Sequence, residues 1–186
     1  ALTAGRPCCQ SYSQISYKRI AIAENQSAMI GPHSELFDFP DGRSRFIAWE
    51  LPKSSAPYVI AMRSAVTPSA LPGTGHFYIF APAVMLLDGN FNVIANQERG
   101  IFAPVPATMF PPRSASLQGV INITGNEVAP RYLIVYTTQS LIEGTLRTSM
   151  PGFVPIAGGV LPTGIPSPVW MEPAISGEIE VALKQL

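Results

Sequence analysis

The sequence predicts an all-β protein: an antiparallel β-sandwich, jelly-roll-like, with long Pro/Gly loops and at most one or two short helices. Three observations predict it. Nineteen Pro and fifteen Gly among 186 residues interrupt the chain too often for long helices, because proline removes a backbone donor and glycine is costly to order. The apolar segments left between these breakers are short and rich in β-branched and aromatic residues. Asp-Gly pairs lie between such segments, where a tight hairpin turn needs them. The spacing suits eight to ten strands, and a small closed barrel is the second architecture that it satisfies.

In chain order, residues 1–17 form an N-terminal segment carrying Cys8 and Cys9, and residues 18–186 form one sandwich domain. Residues 13–20 have a weak helical look. Residues 43–51 (RSRFIAWEL), 58–63 (YVIAMR) and 117–124 (LQGVINIT) read as strands, the last with Leu117, Gly119, Ile121 and Ile123 on one face. Asp41-Gly42 and Asp88-Gly89 mark hairpin turns. Residues 67–76 read as a polar loop. Residues 131–138 (RYLIVYTT) are apolar on both faces, which suits a central strand. After Thr138, Leu141, Ile142 and Leu146 lie about one helical turn apart and predict a short helix. Residues 150–168 read as a long apolar Pro/Gly-rich loop, and Ile179, Val181 and Leu183 alternate with charged neighbours in a half-buried terminal strand.

Charge excludes whole classes of function. Twelve basic residues balance twelve acidic ones, and charged residues are only 13% of the chain, against about 25% in ordinary soluble domains. No field exists to attract nucleic acid. So little net charge favours contact with a second copy or another envelope protein. No apolar run is long enough for a transmembrane helix. The first residues, Ala1 to Gly5, resemble those left after signal-peptide cleavage, which points to a secreted chain of the periplasm or cell envelope. Cys8 and Cys9 are adjacent, too few for zinc and wrongly spaced for a CxxC pair. A vicinal disulfide, a bond to another chain and two plain thiols stay open, with an oxidising compartment favouring a bond.

Catalytic sets are missing from the pattern. His33 and His76 are the two histidines, each beside turn residues, and no GxSxG elbow accompanies them. Asp38 and Asp41 sit too near a turn for a glycosidase pair. No metal site, phosphate cradle or cofactor site is predicted, and the chain reads as a non-enzyme. A sugar-binding face needs aromatic rings and a few amide, carboxylate or guanidinium groups. Trp49 reads as core, so Trp170 is the aromatic candidate. Asp88, Asn90 and Arg99, with Asn92 and Asn96 between them, are the polar candidates. The charge-free segment 150–168 either folds back over an open end of the sandwich as a lid or meets a neighbouring chain or membrane surface, and Phe153, Val160 and Leu161 are the candidates for contact with a partner.

Four segments come in a telling order: Phe80-Ala81-Pro82 with Val84 and Leu87-Asp88; Leu117 with Gly119-Val120; Val135-Tyr136-Thr137-Thr138; and Ile165-Pro166 with Pro168-Val169. Together they resemble the maltose operon periplasmic protein (MalM) family over about residues 80–186. The resemblance implies a periplasmic protein associated with maltodextrin uptake, with no catalytic residues to carry across. Over residues 150–164 this chain is apolar and Gly-rich where that family is more polar. Two functions follow: a carbohydrate-uptake-associated binding or accessory protein that takes oligosaccharide, or a structural subunit of a homo-oligomer or outer-membrane-associated assembly.

Overall fold

A computed structural model describes residues 5–68, 77–97, 101–109, 112–124, 129–144, 146–156 and 159–186, with backbone alone at 68, 109, 112 and across 146–170. One turn of 3-10 helix (Tyr12–Gln14) leads into β1 (Lys18–Arg19), β2 (Asn25–Ile30), β3 (Leu36–Phe39), β4 (Gly42–Arg45) and β5 (Ile47–Glu50). Then come β6 (Tyr58–Pro68), β7 (Phe77–Phe80), β8 (Ala83–Leu87), β9 (Val93–Gln97), β10 (Phe102–Val105), β11 (Thr108–Met109) and β12 (Pro112–Arg113). The chain closes with β13 (Ser116–Ile123), β14 (Tyr132–Tyr136), α1 (Gln139–Ile142), β15 (Leu146–Ile156), β16 (Gly159–Ala174) and β17 (Gly177–Gln185).

Two main sheets pack together as a sandwich. The first runs β1-β5-β14-β8-β9, and the second runs β10-β13-β6-β7-β16-β15 with β17 between β6 and β2. Pairing is antiparallel apart from β1 on β5 and β16 on β7. The long strand β6 makes the second sheet branch: its first part pairs with β17, and its end at Val66 to Pro68 pairs with β7. At that branch Gly177 packs so closely that a Cβ there would lie 2.7 Å from the Phe80 Cβ, which only glycine permits.

Between the sheets lie Trp49, Leu133 and Val135 from the first and Ile60, Val181 and Leu183 from the second, all fully buried. Trp49 is core as expected, and its indole N–H donates to Gln26 Oε1 at 3.0 Å, so burial leaves no orphan donor. The outer face of the first sheet is covered as well. Ala48, Met85, Leu87, Ile134 and Tyr136 meet Phe37, Phe39 and Phe46 from the β3–β4 region and Ile15 from the N-terminal segment. Burying each Phe contributes about 1.5–3 kcal/mol. This third layer explains why residues 131–138 are apolar on both faces, and β14 is indeed central, flanked by β5 and β8.

Several expectations meet the structure directly. Asp88-Gly89 lies in the β8–β9 connection, and Asp41 lies in the β3–β4 turn with Gly42 as the first residue of β4, paired with Phe39. The short helix forms over Gln139–Ile142 alone, with the Thr138 hydroxyl accepting from the Leu141 amide at its N-cap, and Leu146 opens β15 instead of extending the helix. The helical look of 13–20 reduces to the single turn Tyr12–Gln14 followed by β1. Residues 43–51 form two strands, because the chain leaves the β3–β4 hairpin at Phe46, whose amide donates to Glu35 O at 3.1 Å, and only then joins the first sheet. Such bends split the described chain into more strand segments than eight to ten.

The main correction concerns residues 150–168, expected as a loop. They form a ribbon, with β15 and β16 paired antiparallel from Leu146↔Met171 to Ile156↔Gly159. At about 3.3 Å per residue, β15 is about 35 Å long. Proline parity is the physical reason. Pro151 faces Pro166, so that pair exchanges no hydrogen bond, and alternation along the ladder then puts Pro155, Pro162 and Pro168 at non-hydrogen-bonded positions too. Five prolines therefore interrupt none of the ribbon's own bonds. Their missing donors lie on its outer edges, where they discourage a further strand.

Candidate functional site

The N-terminal segment crosses the outer face of the third layer. The Cys8 amide donates to Leu36 O at 2.8 Å, and Cys8 and Cys9 are joined to each other by a disulfide. Tyr12 stacks on Phe37 with ring centroids 5.1 Å apart, Phe37 meets Phe39 at 5.0 Å, and Phe39 stacks on Tyr136 at 4.1 Å. Leu36-Phe37-Asp38-Phe39 buries every residue except Asp38, so the strand hands one carboxylate to the surface between two rings. The Tyr136 hydroxyl beneath donates to Asp41 Oδ2 at 3.0 Å and lies 3.0 Å from Asn96 Oδ1, which fixes the bottom ring of the stack.

From the other side comes the β8–β9 turn. Asp88 Oδ1 accepts from the Asn90 and Asn92 amides at 2.7 and 2.9 Å, and Oδ2 accepts from Asn92 Nδ2 at 2.9 Å. These bonds, the Asn92 side chain's first, hold the Asp88 carboxyl below the usual carboxylate range. Phe91 has φ 65°, left-handed backbone that a bulky residue adopts rarely. It stacks on Tyr132 at 4.6 Å and 13°, a contact that helps offset a strain of about 1–3 kcal/mol.

Between these two walls opens a shallow cavity of about 610 Å³, with Tyr12, Phe37, Phe39 and Phe91 as its rings and Gln10, Ser11, Ser13, Asp38 and Asn90 among its polar groups. Asp38 is gripped by Arg43 through Nε to Oδ1 and Nη2 to Oδ2, and that pairing lowers its pKa. The carboxylate is thus an acceptor whose charge is balanced. Burial first, then Asp41, raises the Tyr12 phenol, which stays a neutral O–H donor. Chemically, the cavity offers the part-exposed rings of Tyr12 and Phe91 to apolar C–H surface, over a floor of the buried Phe37 and Phe39, and amides, hydroxyls and one carboxylate to hydroxyl groups.

A second cavity of about 770 Å³ adjoins the first and shares Gln10, Phe37 and Asp38 with it. A third, about 460 Å³, lies at the side of the sandwich among Leu86, Ile94, Ala95, Ile121 and Ile123 and lacks an aromatic face. No group of three or more His, Cys, Asp or Glu among the described residues could hold a metal ion. No described helix is long and apolar enough to cross a membrane.

Of the predicted ligand residues, Asn90 lines the first cavity, while Asp88 spends its carboxylate on the turn that presents Asn90 and Phe91. Arg99 and His76 lie outside the described residues, as do the side chains of Trp170, Phe153, Val160 and Leu161. Sequence reasoning missed Tyr12, Phe37, Phe39 and Phe91. The available signal is the alternation Phe37-Asp38-Phe39, which buries two rings and leaves a carboxylate at the surface between them in sequence.

A family model described as maltose operon periplasmic protein precursor (MalM) matches residues 41–152. The motifs at Phe80 to Asp88, Leu117 to Val120 and Val135 to Thr138 fall inside the match, and Ile165 to Val169 falls outside it. No curated protein and no solved structure matches significantly. The matched region includes Asn90 and Phe91, whereas the wall made by Gln10 to Ser13, Phe37 and Phe39 precedes it.

Proposed function

Because the chain belongs to the maltose operon periplasmic protein family, whose model covers more than half of it, we propose that it is a non-catalytic binding or accessory protein of carbohydrate uptake in the periplasm. The observation that carries this reading is the open cavity where the part-exposed rings of Tyr12 and Phe91, above the buried Phe37 and Phe39, meet amide, hydroxyl and charge-balanced carboxylate groups. A pyranose has the same division into C–H faces and an equatorial ring of hydroxyls, so stacking and hydrogen bonding can act together. A shallow open site suits a ligand that is captured and handed on rather than converted.

Calorimetric titration with α-1,4-linked glucose oligomers tests it. The expected result is saturable binding that weakens at least tenfold in Tyr12→Ala and in Phe91→Ala, with both variants folded by circular dichroism. Absence of saturable binding at millimolar saccharide overturns the reading.

A second reading, a structural subunit contacting a second copy or another envelope protein, is favoured by one observation. The ribbon carries no charged residue from Thr148 to Met171, and its strand pairing to the rest of the described protein is confined to residues 171–174 on β7. Light scattering of the protein with Phe153, Val160 and Leu161 all changed to Ser decides it. A contact ribbon loses assembly at unchanged Tm, while an unchanged mass sets this reading aside.

A further inference from the structure

Resting on the saccharide reading above, we infer that the two adjoining cavities are one groove with two subsites, and that the Cys8–Cys9 disulfide is part of the wall of the second. The ligand class is then an oligosaccharide of at least two units. The cavities share Gln10, Phe37 and Asp38, and the second is completed by Arg6, Pro7, Cys8, Cys9 and Gln14. Each has the volume of a small-molecule site, about 300–1,000 Å³. A ligand long enough to fill both must pass the three shared residues.

Asp38 occupies the junction with suitable chemistry. An ionised carboxylate offers about four acceptor positions, and Arg43 uses two of them. The others remain for hydroxyls of successive units. Beyond the junction the site changes character. The first subsite has Tyr12, Phe39 and Phe91 of its own, whereas the second has no ring except the shared Phe37, so its apolar surface comes from Pro7 and two bonded sulfurs. Sulfur is soft and polarizable and packs well against C–H surface. Around it stand the Arg6 guanidinium, a donor fork, and the Gln10 and Gln14 amides. The Gln10 backbone amide donates to Gln14 Oε1 at 2.7 Å, and the Cys8 backbone amide to Leu36 O, so the backbone of this wall and the Gln14 side chain are positioned by the fold before any ligand arrives.

The experiment compares chain lengths. Affinities of the oxidised protein for glucose, maltose, maltotriose and maltopentaose are measured by calorimetry, then repeated with Arg6→Ala and with Cys8→Ser/Cys9→Ser. The expected result is a gain of at least tenfold from the monosaccharide to the longer ligands. Both variants should lose most of that gain while changing monosaccharide affinity by no more than about twofold. Arg6 is exposed, so its variant keeps the test decisive if the cysteine variant folds poorly. Equal affinity at every length, or a gain that survives both variants, overturns the second subsite and leaves the single-site reading standing. No binding at any length overturns both.

Discussion

Strand β14 and the β15–β16 ribbon have similar compositions and opposite settings. Both are apolar, and neither the β14 core nor the chain from Thr148 to Met171 carries a charge. Yet β14 lies at the centre of a sheet covered on both faces, while the ribbon's strands pair mainly with each other. The difference teaches that apolar composition fixes neither burial nor extension by itself. Tyr132 to Tyr136 have no proline, so each can bond to β5 or β8. The ribbon has prolines, but they share one parity, so it forms a ladder that its outer edges cannot readily pass on.

Breaking the first member of the comparison has the largest expected effect. Leu133 is fully buried between the sheets, and Leu133→Ala should cost about 2–5 kcal/mol of global stability, the range for a cavity in a core that relaxes incompletely. Urea unfolding measures it. A cost below about 1 kcal/mol would mean that β14 is not the keystone its position implies.

The ribbon is tested by moving a proline out of phase. Val154 pairs with Leu161 at a hydrogen-bonded position, next to the non-bonded Pro155. Val154→Pro removes a donor and strands the Leu161 carbonyl, which should lower amide protection along the ribbon by about 1–3 kcal/mol. Pro155→Val restores only an outward donor and should leave protection unchanged. Hydrogen exchange reads both variants, and equal effects would refute the parity argument.

Legibility followed the same divide. The outer-face core was legible as the two-faced apolarity of residues 131–138, and the turns as Asp41-Gly42 and Asp88-Gly89, because burial and turn chemistry leave local traces. The ribbon is hidden in the sequence: prolines read as breakers, and their common parity has meaning only once the register, bulged between Pro151 and Phe153, is known. The candidate site was hidden for a different reason. Tyr12, Phe37 and Phe91 are distant in sequence and converge only because the N-terminal segment folds across the β3–β4 hairpin. In the sequence Asp88 reads as polar and turn-forming, and only the structure shows that its own oxygens hold the turn.

The smallest expected effect separates the two regions by pH. Asp88 has a carboxyl held low in the folded protein by Asn92 and the Asn90 amide, whereas the ribbon has no titratable side chain between Thr148 and Met171. A carboxyl whose folded pKa lies below its unfolded value, about 3.9, contributes stability that is full above that value and is lost as pH falls through the folded one. Exchange protection of the Asn90 and Asn92 amides should therefore fall as pH drops below about 4, while that of residues 146–156 should not follow. Asp88→Ala should lower protection of the turn at pH 7, and the gap from the wild type should close in acid. Asp88→Asn keeps an acceptor but no charge, so its turn should show no such acid transition. A gap between wild type and Asp88→Ala that stays constant from pH 7 to pH 2 would show that the side chain's bulk, and not its ionised oxygens, holds Phe91 in its left-handed place beside the cavity.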